Sequence, residues 1–160
     1  MEYSKQEIDL LIERNINHVY RLAMIYCKNT ADAEDILQEV FMIFCKVRPL
    51  FHNLEHEKAW FIRVTINCCK DLFKTAWFRK TAPFTDTLEQ SIYKKDETLE
   101  LVMRLPQRYK LVIYLHYYAG YSIEEIGGLL SKNTSTLRTW LQRARMMLKE
   151  SIERSERYGS

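Results

Sequence analysis

The sequence has little glycine and less proline: four Gly and three Pro in 160 residues. Turn-dense β architectures need both, so their scarcity argues against a β-rich fold and for helices. No apolar run approaches the ~18 residues that would span a bilayer. The N-terminus is polar and charged, without a signal-peptide pattern. A cytoplasmic chain with no membrane insertion is therefore expected. A Gly-rich phosphate loop, paired catalytic carboxylates and a nucleophile–base motif are all missing, so no enzyme is expected. The four cysteines, Cys27, Cys45, Cys68 and Cys69, form no CxxC, and each lies in an apolar helical pattern. They read as small core residues in a reducing cytosol. His52 and His56 have His-x-x-x-His spacing. They straddle a loop-to-helix boundary, however, and Cys68 and Cys69 are adjacent, unlike a zinc-finger pattern, so neither metal nor cofactor is expected.

What is present is charge asymmetry. The net charge of +3 is mild, but Lys58 to Lys80 holds six basic residues and one acid. Lys132 to Arg154 holds six basic residues and two acids, whereas Asp32 to Glu39 holds four acids and no base. Two basic helices and one acidic segment suggest two kinds of partner, a polyanion and a basic protein surface.

Helical periodicity organises the first half. Ile8, Leu11, Ile12, Asn15, Val19, Leu22, Ala23 and Ile25 predict a helix from Gln6 to Cys27. Asn29 or Thr30 can cap a second helix to about Val47, with Ala33, Ile36, Leu37, Val40, Phe41, Ile43 and Phe44 on its apolar face. Asp32, Asp35, Gln38 and Glu39 lie largely opposite, as an ordinary solvated acidic face or a docking face for a basic partner. Pro49 ends this helix. A loop follows from Arg48 to about Glu55, containing Phe51, His52 and Asn53. A third helix is expected from about Glu57 to Ala76. Phe61, Val64, Cys68 and Leu72 form one apolar stripe, and Ile62, Ile66, Cys69 and Phe73 a second. Apolar on two flanks, it would expose one thin line of Arg63, Asn67, Lys70 and Lys74 with Trp60 beside it. Charge for phosphates next to a flat ring for bases suits single-stranded nucleic acid; the alternative is a core Trp60 with solvated lysines.

From Trp77 to Lys95 the periodicity dissolves into turn residues and reads as a tether. Asp96 can cap a short helix through about Arg104. Pro106 suits the first turn of a helix reaching Ala119, with Leu111, Val112, Leu115 and Tyr118 as its packing face. Gly120 closes that helix. Ser122 and Glu125 have capping-box spacing and open a short helix ending near Leu130. After the break Ser131-Lys132-Asn133, a basic helix runs from Thr134 to about Glu153. Leu137, Leu141, Ala144 and Leu148 form its core stripe, beside Arg138, Gln142, Arg145 and Lys149. A short helix, tight break and longer basic helix outline a helix-turn-helix, whose second helix meets duplex through its N-terminal residues, here Thr134, Ser135, Thr136, Arg138 and Thr139.

These residues together resemble the extracytoplasmic-function (ECF) sigma factors of bacterial RNA polymerase, within the sigma-70 family. Asp32-Ala33-Glu34-Asp35-Ile36-Leu37-Gln38-Glu39-Val40-Phe41 is similar to the family's polymerase-docking segment in region 2. Ala59-Trp60-Phe61-Ile62-Arg63-Val64, with Asn67 and Asp71, resembles the part of region 2 that handles opened DNA. Leu105-Pro106, Tyr121-Ser122-Ile123-Glu124-Glu125-Ile126, Thr136-Leu137-Arg138-Thr139 and Leu141-Gln142-Arg143-Ala144-Arg145 resemble region 4. The resemblance implies an all-α protein of two small helical domains: region 2 at 1–76, a linker at 77–95 and a region 4 helix-turn-helix at 96–155. It implies that Asp32, Asp35, Gln38 and Glu39 dock on the β′ clamp helices of core RNA polymerase, whose β subunit is a further partner. It also implies that Phe51, His52, Asn53, Trp60, Arg63, Asn67, Lys70 and Lys74 take the melted minus-ten element of promoter DNA. Thr134, Ser135, Thr136, Arg138, Thr139, Gln142 and Arg145 would take the duplex minus-thirty-five element. An anti-sigma factor is a further expected partner. Three departures stand out: Trp140 where the family has a small or basic residue, Gly127-Gly128 where Ala is usual, and Ser131 in place of a turn glycine.

Overall fold

The computed structural model describes residues 2–75 and 97–158, all of whose regular elements are helices. The expected tether from Trp77 to Lys95 and the Asp96 cap lie outside the described residues. The chain divides into two compact units, one built on the first three helices and one on the rest.

In the first unit, α1 (Lys5–Tyr26) starts where Ser4 Oγ accepts the Glu7 N–H at 3.1 Å. Helix α2 (Thr30–Val47) starts at Asn29, whose Oδ1 accepts the Asp32 N–H at 2.8 Å. It stops because Arg48 turns left-handed at φ 46° while its N–H still reaches Phe44 O at 2.7 Å. Pro49 next in the chain disfavours the right-handed conformation at Arg48. Helix α3 (Leu54–Thr75) begins three residues earlier than its apolar pattern predicts. The reason is a cap the pattern does not show: Asn53 Oδ1 accepts the His56 N–H at 2.8 Å. His56 is thus helical, and the loop runs only from Arg48 to Asn53.

The three helices close on Phe44 and Phe61, both fully buried with ring centroids 5.6 Å apart. Leu22, Ile36, Ile62 and Ile66 complete the centre. Each such side chain contributes about 1.5–3 kcal/mol on burial. Of the two apolar flanks of helix α3, Phe61, Cys68, Ile62, Ile66 and Cys69 are buried and Val64 and Leu72 half-buried, whereas Phe73 near its end is 48% exposed and packs its ring on Tyr26 at 6.4 Å. Of the cysteines, Cys27, Cys68 and Cys69 are buried as expected, but Cys45 is exposed, because it follows Phe44 on the outward side of α2. Burial pushes the Cys68 thiol up to about 11, which keeps it protonated and a poor nucleophile.

In the second unit, α4 (Glu97–Met103) leads to α5 (Gln107–Ile113). Pro106 is the N-cap of α5, at φ −53° and ψ 150°, and not a first-turn residue. The single helix expected to Ala119 is instead α5 followed by a π-helical turn, Tyr114–Tyr118. The Ala119 N–H reaches Tyr114 O, five residues back, at 2.9 Å. Gly120 then takes φ 82° as the turn demands. Helix α6 (Ile123–Leu130) opens with the complete Ser122–Glu125 capping box and closes at Ser131, left-handed at φ 54°. Helix α7 (Thr134–Tyr158) extends five residues past the expected end. Leu137, Leu141 and Ala144 are buried, and Leu148 is half-buried.

The two glycines of α6 differ. A Cβ on Gly127 would sit 3.0 Å from the Lys132 carbonyl oxygen, so its absence lets the turn close against α6. A Cβ on Gly128 would meet nothing within 4 Å. Gly128→Ala should therefore raise stability by about 0.5–1 kcal/mol through helix propensity. Gly127→Ala should lower the thermal midpoint despite the same propensity gain, and circular-dichroism melts of the two variants check the opposite signs. The first unit should also be acid-sensitive. Burial, then Lys58 and Arg21, lower the His18 pKa from its ordinary 6.5. Below pH 6.5 the unfolded chain then binds more protons than the native one, so stability is complete above that value and erodes below it. The melting midpoint should fall between about pH 7.5 and about pH 5.5, and His18→Gln should reduce that fall.

Candidate nucleic-acid and protein interfaces

Three surfaces carry the residues singled out by sequence. The first is the outer face of α2. Asp35, Gln38 and Glu39 are exposed there at helical spacing, so they form one acidic strip. Asp32 is half-buried, and its carboxylate accepts the Asn29 amide at 3.0 Å. It therefore stiffens the start of the strip as well as adding charge.

The second surface is the loop and the outer strip of α3. Arg63, Asn67, Lys70 and Lys74 are all exposed in one line, as their spacing predicts. Trp60, at the head of that line, is half-buried and not freely presented. Its ring meets Phe61 at 4.9 Å, Phe51 at 5.8 Å and Phe44 at 6.0 Å. Phe51 is likewise half-buried, and it stacks on Phe44 at 6.4 Å. Both rings are thus anchored to the core and remain partly exposed. His52 and Asn53 are exposed. His56 Nδ1 accepts the His52 N–H at 3.1 Å, and the two imidazoles stack at 5.1 Å. The His-x-x-x-His spacing therefore builds a helix entry. Among the described residues no group of three or more His, Cys, Asp or Glu is placed to hold a metal ion.

The third surface is the N-terminal half of α7. Ser135, Arg138, Thr139 and Gln142 are exposed, and Thr134 and Thr136 half-buried. Thr134 lies inward because its methyl group approaches Gly127. Thr139 Oγ1 donates to Ser135 O at 3.1 Å, which leaves the hydroxyl oxygen as an acceptor. Arg138 is held by Glu124 of α6 at 3.3 Å, an exposed pair worth little to stability that still restricts the guanidinium. Trp140 is half-buried on the far flank. Arg145 stands apart from these residues. Its Nε donates to Tyr117 Oη, and its guanidinium lies 5.4 Å from that ring. The π turn presents Tyr117, 54% exposed, to Arg145, and together with Val102, Ile113, Leu148 and Ile152 they line a cleft of about 530 Å³.

Sequence reasoning missed a cluster between α1 and α3. The Glu57 carboxylate accepts Arg14 Nε at 3.0 Å, Arg14 Nη2 at 2.8 Å and Asn15 Nδ2 at 2.7 Å. The only available signal was an Asn inside an otherwise apolar stripe, which in a helix core calls for a polar partner.

Comparison with known proteins gives a consistent picture. The family model described as Sigma-70 region 2 matches residues 11–79, and that described as Sigma-70, region 4 matches residues 95–148. The chain is 31% identical over 142 residues to "RNA polymerase sigma factor SigV" of Bacillus subtilis, covering 86% of each. It is 26% identical to "ECF RNA polymerase sigma factor SigM" of Mycobacterium tuberculosis, covering 88% of this chain and 74% of that protein. Its fold matches the sigma factor RpoE of Bartonella quintana, solved in complex with the anti-sigma factor NepR. The TM-score is 0.69 at 18% identity, over 93% of this chain and 96% of that one.

The packing of Trp60 sets it apart from the exposed cations of α3. Trp60→Ala should lower stability by about 2 kcal/mol, because it removes a ring from a packed aromatic cluster. Arg63→Ala and Lys70→Ala should each stay within about 0.5 kcal/mol of the parent in urea unfolding, since both side chains are exposed.

Proposed function

The chain belongs to the sigma-70 family of RNA polymerase sigma factors, of the extracytoplasmic-function type, and from that premise we propose how its residues divide the work of a promoter-recognising sigma factor. The domains are region 2 at 1–76 and region 4 at 96–155, joined by a tether at 77–95. The acidic strip of α2, Asp32, Asp35, Gln38 and Glu39, docks on the basic β′ clamp helices of core polymerase, and region 4 meets the β subunit. The loop residues Phe51, His52 and Asn53, with Trp60, Arg63, Asn67, Lys70 and Lys74, hold the opened minus-ten strand. Exposed cations track its phosphates, and half-buried rings offer an open side to an unstacked base. On α7, Thr134, Ser135, Thr136, Arg138, Thr139, Gln142 and Arg145 address the minus-thirty-five duplex, where hydroxyls and guanidinium meet base edges and phosphates. RNA synthesis itself belongs to the polymerase, so the chain carries no catalytic residue. By analogy with the RpoE–NepR complex, an anti-sigma protein holds this chain inactive.

One observation carries this reading: the unit that exposes the acidic strip also exposes the cationic line beside a half-open aromatic cluster. A stand-alone helix-turn-helix regulator would need neither. Charge reversal separates the two. Asp35→Lys with Glu39→Lys should abolish binding to core polymerase, and with it run-off transcription, while the exposed positions leave the fold intact. Arg138→Ala should spare core binding and weaken promoter binding by about 1–3 kcal/mol. If the doubly reversed chain still drives run-off transcription at the parental rate, the assignment of α2 is wrong.

A further inference from the structure

Among the described residues, Glu57 is the charged side chain that is buried outright, at 6% exposure. A carboxylate taken out of water costs free energy unless its oxygens are fully engaged. Here they are: Oε1 accepts Arg14 Nε and Asn15 Nδ2, and Oε2 accepts Arg14 Nη2. Asn15 is buried too, and its amide also donates to Leu11 O at 2.8 Å, so its orientation is fixed by the α1 backbone. The Arg14 side chain covers the cluster and keeps 44% of its surface exposed. Stability alone does not call for such a group, because apolar residues of similar volume often replace buried ion pairs neutrally or with gain. What a bidentate pair supplies is a fixed distance and angle between the elements that carry it.

Its place on α3 shows what is fixed. Glu57 lies in the first turn, and its N–H donates to the carbonyl of Asn53, the last residue of the loop, at 3.1 Å. Trp60 follows one turn later on the same helix. At the loop's other end, Tyr3 Oη donates to Pro49 O at 2.6 Å, and the Tyr3 ring packs on Phe44 at 5.6 Å. Helix α1 and the residues just before it therefore hold both ends of a six-residue loop that carries Phe51 and His52 in its second half. None of Tyr3, Arg14, Asn15 or Glu57 belongs to the exposed strip of α3.

We infer that Glu57, clamped by Arg14 and Asn15, is a positioning residue for promoter opening: it locks the first turn of α3 to α1 and so presets Phe51, His52, Asn53 and Trp60 to take the strand as it leaves the duplex. This rests on the assignment of those four residues to the opened strand. The clamp acts on the opening step and not on polymerase docking, which uses the outer face of α2. A strand already open is captured even by a loosened loop, whereas duplex opening depends on a loop held ready.

The test uses the full chain with core polymerase, on a promoter found by mapping its transcript starts. Glu57→Gln keeps the shape of the side chain but sets an amide N–H against the Arg14 guanidinium. Arg14→Met with Glu57→Met replaces the pair by packed apolar side chains, which keeps the fold in hand if the first variant is unstable. Opening is read by permanganate reactivity of unpaired thymines, core binding by fluorescence anisotropy, and strand capture by run-off from a premelted template. Expected for both variants is a loss of duplex opening of about tenfold, with core binding and premelted-template transcription within about twofold of the parent. Arg14→Lys, which keeps the charge but loses the fork, should fall between. Parental opening by the double Met variant overturns the inference, as does an equal loss on both templates. Failure of the parent chain itself to open the promoter with core polymerase would instead strike the functional assignment beneath it.

Discussion

Helix α3 must bury two flanks at once, and the rest of the first unit is arranged around that demand. Phe61, Cys68, Ile62, Ile66 and Cys69, with the fully buried Thr65, take up the inner side of the helix, against α1 and α2. Arg63, Asn67, Lys70 and Lys74 make the outward strip, with the exposed Asp71 and Phe73 flanking it near the end of the helix. A basic line one side chain wide is thus a consequence of core packing. Such a line can follow a single strand, whereas a broad basic face would suit a duplex equally well. The aromatic residues at its head extend the same logic. Phe51 and Trp60 are half-buried because Phe44 and Phe61 beneath them are fully buried, so the core sets their height above the surface.

The second unit solves a different problem with similar means. Helix α7 needs α6 close behind it, and Gly127 permits that approach where a methyl group would press on the Lys132 carbonyl. Ser131 accepts a left-handed backbone to make the turn, and Glu124 reaches across to restrain Arg138. The cationic stripe on α7 is consequently not uniform. Arg138 is held near the turn, whereas Arg145 is drawn toward Tyr117 by a π turn in the preceding segment. Both arginines thus have an attachment within their own domain, Arg138 to Glu124 and Arg145 to Tyr117.

Much of this was legible in the residues. Apolar periodicity located the helices, and the Ser122–Glu125 spacing and Gly120 located the entry to the helix-turn-helix. The spacing of Arg63, Asn67, Lys70 and Lys74 by four, three and four residues marks the exposed strip in the sequence itself. What escaped depends on partners distant in sequence or on hydrogen-bond choices that periodicity does not encode. Asn53 as a cap moved the start of α3, because apolar spacing registers a helix only where it begins to pack. The π turn at Tyr114–Tyr118 adds one residue to a helical turn without changing which residue types suit it. In the residues Glu57 marks only the expected start of the third helix, and only the fold brings Arg14 and Asn15 to it. Cys45 shows the reverse error, an apolar residue type placed on an outward face.

The central claim is that one chain reads two promoter elements with two units while borrowing the polymerase's chemistry. Genome-wide mapping of transcript 5′ ends after overexpression of the chain tests it most directly. The account predicts new start sites that share two sequence elements at constant spacing upstream, each lost selectively when the strip of α3 or the N-terminal half of α7 is altered. Altered transcription with no new start sites, or new starts sharing only one duplex element unaffected by changes in α3, would contradict it.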